Sequence, residues 1–221
     1  LSEAVRIQDH GIVGDGRSAA LITHAGEIDW LCWPRFDSDS IFASILDQEK
    51  GGAWTLRPTE GFQSSWRYLP GTNVLETRFV TASGTLVLTD WMPALEEGER
   101  KSRLSPECLL LRKVECMGGR VEWETRVSPR PGFGRIRPRV RPIRDTLHRF
   151  EWKGEVLFLR STHALRSGEG GSLVEGSATL RAGETAYLAL GYDSEGPAVF
   201  PPGPEDVEEL LGKTCAWWRE W

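Results

Sequence analysis

One proline in this chain is ringed by functional groups, in the stretch Gly26-Glu-Ile-Asp-Trp-Leu-Cys-Trp-Pro-Arg-Phe-Asp-Ser-Asp-Ser-Ile-Phe-Ala-Ser-Ile-Leu-Asp47. Arg35 offers a planar fork of donors suited to a carboxylate or to hydroxyls, and Asp37 accepts hydrogen bonds. Trp33 and Phe36 supply flat apolar faces beside them. Asp29 and Asp37 are the least arbitrary carboxylate pair for acid–base work, although with 32 acidic residues many other pairs could be named. The plainer alternative is that Arg35 and Asp37 only pair across a turn or cap a helix.

The flanking pattern says what must position these groups. Ile28, Trp30 and Cys32 alternate with Asp29, Leu31 and Trp33, the period of a strand. Pro34 removes a donor and ends the pairing. Ser38 or Ser40 then suits the cap of a short helix near residues 38–47, with Ile41, Phe42, Ile45 and Leu46 at helical spacing. The expectation is strand, polar turn, helix, with Arg35, Phe36 and Asp37 on the turn.

From residue 51 onward the chain reads as short β runs separated by Gly- and Pro-containing turns, the signature of an antiparallel sandwich. Ala82-Ser-Gly-Thr85 predicts one hairpin, and Gly118-Gly119 predicts another between Glu107–Met117 and Arg120–Ser128. Leu95–Pro106 reads as a polar loop. The basic block Arg130–Arg144 is read as a protected edge strand or loop, because Pro138 and Pro142 interrupt it. Gly11-Ile-Val-Gly-Asp-Gly16 lacks the Lys and helix context of a phosphate loop and is read as a turn between strands. The expected division is a β-sandwich domain over 1–194, then a Pro/Gly linker and a helix over 195–221. That helix carries Trp217, Trp218 and Trp221, which require a surface to cover them.

Composition narrows the class of partner. A net charge of −5 over 221 residues argues against binding nucleic acid. No apolar run approaches the length of a membrane span, and the first residues lack the basic and apolar regions of a signal peptide. Cys32, Cys108, Cys116 and Cys215 have neither zinc-site nor redox-pair spacing, so free thiols in a reducing cytoplasm are expected, with no metal and no cofactor.

Five blocks carry a resemblance: Gly14-Asp-Gly-Arg-Ser-Ala-Ala-Leu-Ile22, Gly26 to Ser38, Gly51-Gly-Ala-Trp-Thr-Leu-Arg-Pro58, Ser128-Pro-Arg-Pro-Gly-Phe-Gly-Arg135 and Thr214-Cys-Ala-Trp-Trp-Arg-Glu-Trp221. Together they resemble the N-terminal region of bacterial glucoamylase and trehalase-like glycoside hydrolases, family fifteen. The resemblance implies an all-β fold, a large antiparallel β-sandwich preceding an (α/α)6 barrel that holds two carboxylates and inverts the anomeric centre. It therefore implies that this stretch is non-catalytic and that its partners are the barrel and a glucosidic carbohydrate. Trp33, Arg35, Phe36 and Asp37 become candidates for a pocket wall or domain interface, and Trp217, Trp218 and Trp221 for an interface. Two alternatives stand beside it. A stand-alone carbohydrate-binding module would show coplanar exposed Trp, and a purely structural folding domain would matter only for stability.

Overall fold

The computed structural model describes residues 6–102, 104–193 and 199–221. Among them the strands are β1 (His10–Gly14), β2 (Ala19–Thr23), β3 (Glu27–Cys32), β4 (Ser40–Phe42), β5 (Trp54–Pro58), β6 (Phe62–Tyr68), β7 (Leu75–Thr81), β8 (Gly84–Trp91), β9 (Cys108–Val127), β10 (Arg139–Arg144), β11 (Leu147–Trp152), β12 (Glu155–Ser161), β13 (Arg166–Ser167), β14 (Val174–Arg181) and β15 (Thr185–Asp193). The helices are α1 (Glu97–Ser102) and α2 (Pro204–Glu220). This is the expected all-β sandwich, antiparallel throughout.

The predicted Gly118-Gly119 hairpin does not form. Residues 108–127 make one continuous strand, β9, whose first half pairs with β8 and β15 and whose second half pairs with β5 and β14. One layer therefore runs β1-β2-β3-β5-β9-β14-β13, with β4 on β3, and the other runs β6-β7-β8-β9-β15-β12-β11-β10. The glycines mark where β9 passes from one layer to the other. Gly119 takes φ +76°, and a Cβ there would lie 2.1 Å from the Ser83 carbonyl oxygen. Sequence alone cannot separate a reversal from a crossing, because both need a glycine where backbone approaches backbone.

The main core fills the space between layers, with Ile22, Ile28, Trp54 and Trp123 facing Phe79, Leu88, Leu110, Leu159 and Leu188. A second cluster lies on the far side of the other layer, where Val74, Trp91, Leu109, Leu111 and Ala189 meet Val207, Leu210 and Cys215 of α2. Burial on both faces explains why 109–111 is an unbroken Leu run. Between the layers, Arg112 on β9 faces Asp90 on β8 with Nε to Oδ1 at 2.8 Å, both side chains fully buried. Its remaining donors reach the carbonyls of Trp54 at 3.1 Å and Gly26 at 2.8 Å in the opposite layer, and its guanidinium lies 5.0 Å from the Trp54 ring.

Three further sequence expectations resolve here. The short helix near residues 38–47 is corrected: Ser40–Phe42 is β4, followed by turns. Phe42 and Ser40 pair with Leu31 and Cys32 on β3, while the N–H groups of Arg130 and Gly132 donate to the carbonyls of Ile41 and Ser40. With backbone partners on both sides, the extended form is satisfied without a helix, and Leu46 of the supposed apolar stripe is exposed. The Leu95–Pro106 loop contains α1. The basic block ends in β10, which closes one edge of its layer with Pro142 in it, as expected. Residues 195–198 of the expected linker lie outside the described residues.

Candidate domain-docking site

Pro34 follows Trp33 through a cis peptide, and the chain turns through Arg35, Phe36 and Asp37 before Ser38 closes it. The Ser38 N–H donates to the Arg35 carbonyl at 3.0 Å, and the Ser38 hydroxyl accepts from the Arg35 N–H at 3.2 Å. A second anchor is the Arg17 carbonyl, which accepts from the Phe36 N–H at 3.1 Å. Arg17 is itself held by the Asp15 carboxylate at 3.2 Å and the Glu107 carbonyl at 2.8 Å. The turn is thus fixed to the mouth of the β1–β2 hairpin and to the start of β9.

The four candidate side chains have different fates. Trp33 is buried and stacks on Tyr192, centroids 6.3 Å apart and planes 21° apart, so it anchors the turn from inside. Arg35 Nε sits 3.2 Å from Asp37 Oδ1, with both side chains exposed, the plain cross-turn pair. Such a pair adds little stability and leaves both groups free to exchange partners. Phe36 points outward and is 69% exposed.

Asp29 is buried and receives His10, with Nε2 to Oδ2 at 2.7 Å. His10 Nδ1 faces the carbonyls of Arg6 and Ile7, so it must carry a proton, and one further proton lies between Nε2 and Asp29. Burial pushes the Asp29 carboxyl up, and the hydrogen bond from His10 opposes it. Asp29 therefore locks the N-terminal segment onto β3, and no contact joins it to Asp37.

The Trp cluster meets the turn. Trp218 and Phe36 line one shallow cleft of about 330 Å³ with Ile12, Arg17 and Asn73. An adjoining cleft of about 420 Å³ shares Asn73 and Trp218 and adds Tyr68, Pro70 and Trp221. Trp217, Trp218 and Trp221 pack edge-to-face, at 89° and 81° between planes, and Trp221 is 85% exposed. Sequence reading missed Ile12, Tyr68 and Asn73. The Tyr68 hydroxyl takes the Ile12 N–H at 2.8 Å and donates to its carbonyl at 3.0 Å, while Asn73 Oδ1 takes the Gly14 N–H at 2.6 Å. These two side chains saturate the edge of β1, closing the sandwich beneath the cleft. Their 56- to 61-residue separation from β1 left no local signal.

The geometry is an exposed aromatic face with a charged turn beside it, rather than an enclosed acid–base pair. The family described as trehalase-like, N-terminal, matches residues 2–162. The chain belongs to that family. Trehalases of Mycolicibacterium smegmatis and Mycobacterium tuberculosis are 30% and 29% identical to it, each over 97% of this chain. The trehalase of Thermoplasma volcanium is 43% identical over 98 residues, 42% of this chain and 16% of that protein. The match to the two mycobacterial relatives spans about a third of their length, 34% and 33%.

Proposed function

We propose that this trehalase-like domain is the non-catalytic N-terminal part of an inverting α-glucoside hydrolase of the glucoamylase and trehalase type. In this reading Phe36, Trp218 and Trp221 dock on a C-terminal (α/α)6 catalytic domain of the same polypeptide. Arg35 and Asp37 lend their turn to the wall of its glucoside pocket, with Trp33 and Trp217 as supports. The observation that carries the reading is the convergence of the turn and the Trp cluster on one exposed apolar face, in a chain whose match spans about a third of two trehalases. A cytoplasmic location fits the four buried free cysteines.

The carbohydrate-module alternative is disfavoured because the C-terminal Trp rings stand nearly perpendicular and offer no flat platform. The test is made in the longer polypeptide, by placing a charge on the face with Phe36→Asp and Trp221→Asp. Hydrolysis of trehalose and maltooligosaccharides should fall, with the released sugar of inverted anomeric configuration by NMR, while far- and near-UV dichroism of the sandwich stay unchanged. Full activity in both variants would refute the docking face. Tight trehalose binding by residues 1–221 alone would favour the module instead.

A further inference from the structure

A cavity of about 410 Å³ lies on the outer face of the layer holding β11, β12 and β15, beneath Phe200, Pro202 and the first turn of α2. It shares no lining residue with the turn and Trp clefts. Its size is that of a small-molecule pocket.

Its lining is unevenly charged. Two guanidinium groups, Arg144 and Arg160, line it, and among the described residues no Asp or Glu does. Arg160 Nε is shut off from solvent and has no hydrogen-bond partner among the described residues. Of the lining hydroxyls, Thr162 accepts the Tyr187 N–H, Ser161 accepts the His163 N–H, and the Tyr187 hydroxyl donates to Glu208. The charged groups of the described lining are thus guanidinium cations, which a carboxylate answers with two parallel acceptors.

The apolar part of the lining is Ile143, Leu147, Phe200, Pro202 and Val207, with Leu147 paired across the strands to both Arg144 and Arg160. Phe200 is set edge-to-face on Phe158, centroids 5.0 Å apart at 85°, which fixes its ring as a lid. A polyanion would leave charge against these apolar groups, whereas a single carboxylate on an apolar body matches the mixed lining. We propose that this cavity binds a small organic monocarboxylate, its carboxylate on Arg160 and its apolar body against Phe200, Pro202 and Ile143.

Phenylacetate and its neutral isostere phenylacetamide are the probes, titrated calorimetrically into the 221-residue chain at low salt. Phenylacetate should bind at least about tenfold more tightly than the amide, a difference of roughly 1.4 kcal/mol. Arg160→Gln should erase that preference, and Phe200→Ala, at a half-exposed position, should weaken phenylacetate by a similar factor. Arg57→Gln, in an exposed pair with Glu124 elsewhere, should change neither. Absence of phenylacetate binding at millimolar concentration, equal binding of the two probes, or a preference that survives Arg160→Gln would each overturn the proposal. Should Arg160→Gln fail to fold, the probe comparison and Phe200→Ala still decide it.

Discussion

Two arginine–aspartate pairs occupy opposite surroundings in this domain. Arg112 and Asp90 meet at 2.8 Å with no solvent exposure, while Arg35 and Asp37 meet at 3.2 Å on an open turn. The first pair is saturated: Arg112 also holds the carbonyls of Trp54 and Gly26, so it can offer nothing to a partner. The second pair is loosely committed and stands beside an exposed phenylalanine and a tryptophan cluster. Identical chemistry thus serves folding where it is desolvated and surrounded, and is available for recognition where it is exposed to water.

The largest expected effect tests the buried side of this contrast. Arg112→Met leaves the buried Asp90 without its partner and removes the link between layers, so unfolding free energy should drop by about 3–5 kcal/mol in urea titrations. A loss no greater than that of a surface change would show that the pair is not what joins the layers. Next is the crossing of β9. Gly119→Ala forces a side chain into a φ of +76° against the Ser83 carbonyl, and a destabilisation of roughly 1–3 kcal/mol is expected by the same titration. A neutral result would mean the crossing relaxes freely.

A smaller effect comes from two thiols near the turn. Burial pushes Cys32 up to about 11 and Cys108 up to about 12, from an ordinary value of 9.0. The folded state keeps these protons after the unfolded chain has begun to lose them. Their contribution is therefore complete below pH 9.0 and is lost as pH rises toward 11 and 12. Stability measured from pH 8 to 11 should decline, and Cys32→Ala with Cys108→Ala should flatten the decline; an unchanged slope would remove the thiols as its cause. Smallest for stability, but sharpest for the comparison, is Arg35→Ala. It should alter unfolding by less than about 0.5 kcal/mol. In the longer polypeptide it should lower kcat on the order of tenfold, as for loss of one charge-assisted hydrogen bond. Unchanged turnover would leave the turn without a part in the pocket.

Much of this architecture was legible from local chemistry. The alternation through Ile28–Trp33 and the prolines of the basic block pointed to β3 and to an edge strand, because side-chain period and a missing N–H act over a few residues. The readings that failed did so where the deciding partner is remote. Ser40–Phe42 became a strand through β3 and residues 130–132, and Gly118-Gly119 became a crossing through β5, β8, β14 and β15. For the candidate site, the residue types on the turn were visible in sequence, but Trp33 turned inward onto Tyr192 and Phe36 outward. Ile12, Tyr68 and Asn73 gave no sign at all, since their shared role exists only once β1 lies against the β6–β7 turn.

The sequence by itself determined the β class, the placing of a polar turn after Pro34, and the presence of a tryptophan-rich terminal helix. These follow from periodicity, from the ring of proline and from the apolar spacing of Glu205–Trp221. Only the tertiary structure decided that this helix folds back over Val74, Trp91 and Leu111, bringing Trp218 to the cleft it shares with Phe36. The reason is that burial of an apolar face is a property of surfaces brought together across the chain, and no local stretch of residues encodes which surface that will be.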